Sequence, residues 1–207
     1  MAIVLRDNQP EDIRVQSRAV AARLSALPCM ASLPPGAAVS VYLPMAESNN
    51  EVDTWPLAEM LSARNVKLVI PLITGKGAVD MCMASVPTTD TMGELRSLPL
   101  DKWNIPVPKK EWVAEQPGVE ADIAVILVPC VALGQDGRRL GHGKGYYDAF
   151  LARVTAERAK LHRPAPVSVG LALRAQLLPA GYIPVGDWDQ PLDMVVSPDG
   201  VWPADRA

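Results

Sequence analysis

A chain of 207 residues, 49% hydrophobic and 21% charged, has enough apolar surface to bury one sizeable core. Its formal net charge of −3 gives no field that would gather nucleic acid, so an anion site has to be local and no nucleic-acid partner is expected. No apolar run approaches the ~18 residues of a membrane span, and the first residues lack the form of a secretory signal, so no membrane partner is expected either.

The first predicted element is a helix from Pro10 to Leu27. Asn8 can cap it, Pro10, Glu11 and Asp12 suit its first turn, and Ile13, Val20, Leu24 and Leu27 share one face. Pro34-Pro35-Gly36 then turns the chain into a strand, Ala38 to Pro44, whose end runs through Met45 to Asn50 and carries Glu51 ahead of a helix from Thr54 to Arg64. Val66 to Pro71 and Met81 to Val86 read as two more strands, with Gly75 and Gly77 in a hairpin-like link. From Pro87 to Pro117 no period is sustained, which predicts a long ordered excursion in which Trp103 is, on its residues alone, a packing anchor.

Ile123 to Pro129 is predicted as a buried strand, Ala149 to Lys160 as a helix, Val167 to Leu173 as a strand and Leu192 to Ser197 as the last strand. This alternation predicts an α/β fold: one three-layer domain over residues 1–207, a mainly parallel sheet with helices on both faces, and a loosely held tail over 198–207.

Between the strand at 123 and the helix at 149 lies Gly137-Arg138-Arg139-Leu140-Gly141-His142-Gly143-Lys144-Gly145-Tyr146-Tyr147-Asp148. A loop between strand and helix offers free backbone N–H groups and the positive end of a helix. Alternate glycines let the main chain approach a ligand, and Arg138, Arg139 and Lys144 add positive charge, a combination that suits phosphate. Asp148 beside them suggests a magnesium carboxylate. Glycines after a strand are also common in plain turns, and the pattern is neither a P-loop nor a dinucleotide fingerprint. His142 and His162 are the only histidines, so no His-x-x-x-His metal pair and no serine elbow served by histidine can be built. Cys29, Cys82 and Cys130 are odd in number and scattered, which supports neither a disulfide framework nor a zinc knuckle and favours a reducing compartment, cytoplasmic with an organelle left open.

Arg139-Leu140-Gly141-x-Gly143-x-Gly145-Tyr146-Tyr147-Asp148, preceded by Val128-Pro129, closely resembles the signature of the 5-formyltetrahydrofolate cyclo-ligase (5,10-methenyltetrahydrofolate synthetase) family. The resemblance extends in order through Asn50-Glu51-Val52-Asp53-Thr54, Trp103-Asn104-Ile105-Pro106-x-Pro108 and Gln176 to Asp189. It implies ATP-dependent closure of 5-formyltetrahydrofolate to the methenyl form, with phosphorylation of the formyl oxygen, attack by N10 and release of ADP and phosphate.

By matched position, residues 138 to 147, Arg138, Arg139, Leu140, Gly141, His142, Gly143, Lys144, Gly145, Tyr146 and Tyr147, look like the ATP-holding loop, with Arg139 and Lys144 gripping the phosphates. Asp148 and Asp189 resemble magnesium ligands. Glu51 resembles the folate-contacting glutamate, with Leu43, Met45 and Trp103 as apolar walls and His142 and Tyr146 also facing the folate. The partners implied are 5-formyltetrahydrofolate and ATP, and a monomer is expected. On residues alone Glu51 is a helix-start residue, Asp189 a turn or cap residue, and His142 a polar contact rather than a general acid.

The chain departs from the family in one respect. Members usually begin with a further helix of the form Lys-x-x-x-Arg whose cations reach the nucleotide, whereas only Met1 to Gln9 precede Pro10 here, with Arg6 their sole cation. An upstream start or substitute cations are expected; a weakly catalytic folate- or nucleotide-binding relative is the alternative, and a sugar-phosphate isomerase or acyl-transferase relative on a similar sheet is a weaker one.

Overall fold

The computed structural model describes residues 10–34, 36–45, 51–102, 104–114 and 119–203. Trp103 and the segment before Pro10 therefore lie outside the described residues, as do the roles expected of them.

The chain starts with α1 (Pro10–Ser25) and the short α2 (Pro28–Ala31), then β1 (Ala38–Ser40), α3 (Trp55–Ala63), β2 (Lys67–Ile73) and β3 (Met81–Ser85). Helix α1 carries acids in its first turn and Arg23 in its last, in keeping with the helix dipole, and buries Ile13, Val20 and Leu24. It stops short of the predicted Leu27 because Leu27 precedes a proline and adopts φ −67°, ψ 141°, the extended geometry that a following proline ring favours.

The excursion from Pro87 contains two short helices, α4 (Thr91–Arg96) and α5 (Glu111–Ala114). The Asp90 carboxylate caps α4 by accepting the Gly93 N–H at 3.1 Å. There follow β4 (Ile123–Val128), β5 (Ala132–Gly134), β6 (Arg139–Leu140), α6 (Tyr146–Lys160), β7 (Val167–Leu171), β8 (Leu177–Leu178), β9 (Met194–Val196) and β10 (Val201–Pro203).

The main sheet has seven strands in the order β10-β9-β7-β4-β1-β2-β3. Its five inner strands are parallel, and β3 and β10 close the edges antiparallel. Side chains of β4 alternate between two cores. Val125 and Leu127 face the cluster that holds α1 and α3, while Ile126 and Val128 face Phe150, Leu151 and Val154 of α6. The expected mixed α/β architecture, with helices on both faces of a mostly parallel sheet, is thus present. The tail expected to be loose is instead fixed as far as it is described: Val201–Pro203 pairs with β9, and Arg23 Nε donates to the Pro198 carbonyl at 2.9 Å.

From β1 the chain crosses through α3 to β2 on one side, whereas β4 on the other side leads through α6 to β7. The order of strands therefore reverses between β1 and β4. In an open α/β sheet this reversal opens a crevice at the carboxyl ends of the strands, which is where ligands bind.

Candidate active site

Two segments meet at that crevice. The first leaves β1, which is shorter than predicted. The Val41 N–H still donates to the Val69 carbonyl at 2.9 Å, but the Tyr42 carbonyl accepts from Thr54 Oγ1 at 2.5 Å, so the chain has left the ladder well before Pro44. Leu43 is buried there and Met45 is partly buried; the Met45 N–H donates to Glu51 Oε2 at 3.2 Å.

The second segment leaves β4. The simple strand-to-helix loop expected over 130–148 is a hairpin of β5 and β6 followed by a glycine loop, and β8 joins it to make a separate three-stranded sheet. Gly137, at φ 81°, turns the hairpin, with its N–H on the Gly134 carbonyl at 3.0 Å. The glycine loop ends at Gly145, whose φ of 68° and ψ of 10° place it in the left-handed region just ahead of α6. The helix consequently starts at Tyr146, three residues earlier than predicted, and brings Tyr147 and Asp148 into its first turn.

Arg139 is held on this platform with only 9% of its side chain exposed. Its Nη2 lies 2.7 Å from Asp148 Oδ2, and its guanidinium stands 5.7 Å from the centre of the Tyr147 ring. A Cβ at Gly141 would come within 2.5 Å of Arg139 Nη1, so the glycine is the seat of the arginine. Arg139 Nε and the Tyr147 hydroxyl are both buried without a hydrogen-bond partner. A buried donor left unsatisfied costs about 1–3 kcal/mol, so two of them side by side mark a place arranged for a ligand.

The electrostatics join the two segments. Burial pushes the Glu51 carboxyl up to about 7, partly offset by the Met45 N–H. Burial also raises the Tyr147 hydroxyl and the Cys130 thiol, and both groups feel Arg139 and Glu51 together. The Tyr42 hydroxyl, fully enclosed, is raised first by burial and then by Glu51. Tyr42 and Cys130 were not singled out from the sequence; the signal available was their position just past the carboxyl ends of β1 and β4. Gln176, which belonged to the resemblance without a role, ties the end of β4 to the end of β7: its Nε2 donates to the Cys130 carbonyl at 2.7 Å and its Oε1 accepts the Leu173 N–H at 2.8 Å.

The other expected residues are distributed unevenly. His142, Gly143 and Lys144 are exposed, and Arg138 and Leu140 are partly buried in the hairpin. The Tyr146 hydroxyl donates to the Gly75 carbonyl at 3.2 Å, which ties the loop to the β2–β3 turn. Asp148 Oδ1 accepts the Gln190 N–H at 3.1 Å, so both of its oxygens are engaged. Asp189 is exposed, and its Oδ2 accepts the Gly186 N–H at 2.8 Å. No group of three or more His, Cys, Asp or Glu able to hold a metal occurs among the described residues.

An α/β enzyme whose glycine loop carries a nearly enclosed arginine, and whose arginine and buried glutamate act on the same tyrosine and cysteine, is the class that this geometry defines. The chain belongs to the 5-formyltetrahydrofolate cyclo-ligase family, whose model matches residues 2–198, and it is accordingly a ligase. It is 32% identical over 158 residues to a probable 5-formyltetrahydrofolate cyclo-ligase of Caenorhabditis elegans, covering 76% of this chain and 71% of that protein. A probable 5-formyltetrahydrofolate cyclo-ligase of Schizosaccharomyces pombe is 32% identical over 163 residues, covering 78% and 76%. The solved structure of a 5,10-methenyltetrahydrofolate synthetase from Aquifex aeolicus superposes with a TM-score of 0.64 at 27% identity, over 95% of this chain and 84% of that one.

Proposed function

We propose that the chain closes 5-formyltetrahydrofolate to 5,10-methenyltetrahydrofolate at the expense of ATP, with Arg139 at the transferring phosphate and Glu51 at the folate. The observation that carries this is a nearly enclosed arginine with an unsatisfied N–H and a buried carboxyl raised to about 7, both acting on the Tyr147 hydroxyl and the Cys130 thiol.

The chemistry needs little more. The formyl oxygen attacks the γ-phosphorus and ADP leaves, which converts that oxygen into a phosphate ester on an iminium carbon. N10 then attacks the carbon, phosphate departs with the oxygen, and N10 gives up its proton. Arg139, desolvated beside Tyr147, stabilises charge on the phosphoryl group, and Lys144, exposed on the loop, reaches the same anion. Glu51, with a carboxyl poised near neutral pH, accepts a proton from the folate side. No protein nucleophile takes part.

Magnesium fits this donor set only as a companion of the phosphates. Hard cations accept one or two carboxylates when phosphate oxygens and water complete the shell, and Asp148, with Asp189 as the second carboxylate, would hold it. Held by these residues, the ion would supply positive charge against the phosphates beside Arg139. The protein acts as a monomer in this reading. A relative from Arabidopsis thaliana, 34% identical over 167 residues, is named mitochondrial, so an organelle stays open beside the cytoplasm. Among the described residues no helix is long and apolar enough to cross a membrane.

The test is stoichiometry. One ADP is expected per methenyl product, with no product after chelation of divalent cations; product formed without ADP would overturn the reading.

A further inference from the structure

The loop from Gly181 to Leu192 is fastened at three points to the platform that carries the glycine loop. The Gly181 N–H donates to Asp136 Oδ2 at 2.8 Å, the Leu192 N–H to the Gly137 carbonyl at 2.9 Å, and the Gln190 N–H to Asp148 Oδ1 at 3.1 Å. Between these anchors Gly186 to Asp189 forms a turn closed twice, by the Asp189 N–H on the Gly186 carbonyl at 3.2 Å and by the Gly186 N–H on Asp189 Oδ2 at 2.8 Å. The Gln190 side-chain amide donates to the Trp188 carbonyl at 3.1 Å and stiffens the tip.

The tip displays Trp188 with 86% of its surface exposed, more than any other large hydrophobic among the described residues, and Tyr182 and Val185 on the same loop are 54% exposed. Among the described residues none covers this indole. A tightly held loop that holds a tryptophan in water is the arrangement of a stacking surface awaiting a flat ligand.

Its distance from the Arg139–Asp148 pair selects the ligand. Trp188 is two residues from the backbone N–H bonded to Asp148, a span of at most ~7 Å, and the indole extends from there. That reach is comparable with the ribose and phosphates that separate a purine base from the end of its triphosphate chain. We propose that Trp188 binds the co-substrate by stacking its indole on the purine base of a nucleoside triphosphate whose phosphates lie at Arg139. This rests on the ATP reading above.

The test separates the base from the phosphates. Binding of ATP, of inorganic tripolyphosphate and of 5-formyltetrahydrofolate is measured by calorimetry for the intact chain, Trp188→Ala and Trp188→Phe. Trp188→Ala is expected to lose about tenfold or more in ATP affinity, the range of one base–aromatic stack, with tripolyphosphate affinity unchanged and Trp188→Phe close to wild type. Unchanged ATP affinity in Trp188→Ala overturns the proposal, and so does an equal loss for both ligands, which would make Trp188 a support of the loop. Weakened 5-formyltetrahydrofolate binding in place of ATP binding would move the indole to the pterin and also overturn it. A wild-type chain that binds neither ATP nor tripolyphosphate would instead remove the ATP reading itself, a pattern distinct from the other three.

Discussion

Two arginine–carboxylate pairs flank α6, and they differ in what they leave unsatisfied. At its first turn Asp148 holds Arg139, which is nearly enclosed, with Nε lacking a partner beside an equally unpartnered Tyr147 hydroxyl. One and a half turns later Arg153 binds Glu120, and here the polar groups are used: Arg153 Nη2 also donates to the Met81 carbonyl at 3.0 Å, Glu120 Oε1 accepts the Met83 N–H at 2.9 Å, and the guanidinium lies 5.2 Å from the Phe150 ring centre. The second pair covers the open edge of β3, where the Met83 N–H would otherwise be left free for another strand. Burying charge does not by itself mark a functional site, and neither does one unspent N–H, since Arg158 Nε is also buried without a partner; what sets Arg139 apart is that its unspent N–H lies beside the unpartnered Tyr147 hydroxyl in a glycine loop at the crevice.

Substitutions sharpen this contrast. Arg139→Ala should lower turnover by at least about a hundredfold, as for loss of one donor to a developing anion. Gly141→Ala displaces the guanidinium by its Cβ and should cost about tenfold to a hundredfold in kcat, since small misplacements are enough; unchanged kcat would show that Arg139 does not need its seat. Tyr147→Phe should lower turnover while leaving the melting temperature unchanged or raised, because it deletes a hydroxyl that nothing satisfies, a relief of up to about 1 kcal/mol. A clear loss of stability would mean that the hydroxyl has a structural partner.

The last effect is one of pH. Below 4.5 both folded and unfolded chains keep the Glu51 proton, but between 4.5 and about 7 only the folded chain keeps it, so stability falls across that window and is level above it. Glu51→Gln should remove this decline, measured as the difference in unfolding free energy between the two proteins from acid to neutral pH. A difference that stays flat would place an ordinary, solvated carboxylate at Glu51.

Much of this was legible in the sequence, and the exceptions have physical causes. Periodic apolar runs placed β2, β4, β7 and α1 because their cores demand the pattern. Helix α6 was placed late because Tyr146 and Tyr147 are weak helix formers, and the helix begins there only because Gly145 accepts φ 68°. The hairpin of β5 and β6 was hidden since its strands are two or three residues long and held by backbone hydrogen bonds that no periodicity announces. Helix α4 had a signal in Asp90 ahead of Glu94, obscured by the surrounding prolines. The edge strand β10 was missed because Pro198, Asp199 and Gly200 read as an ending when they form a turn, with the Ser197 N–H on the Gly200 carbonyl at 3.0 Å. The glycine loop and Glu51 were each recognisable, whereas their meeting across β1 and β4 depends on strand order, which local sequence does not state.

The most direct test sets the two pairs side by side. Turnover and melting temperature are measured for Arg139→Ala and Arg153→Ala under the same conditions, with methenyl product followed in the presence of ATP. Arg153→Ala should lose about 1–2 kcal/mol of stability and keep wild-type turnover, while Arg139→Ala stays folded and loses its ATP-driven product. Wild-type product formation by a folded Arg139→Ala protein would contradict the account.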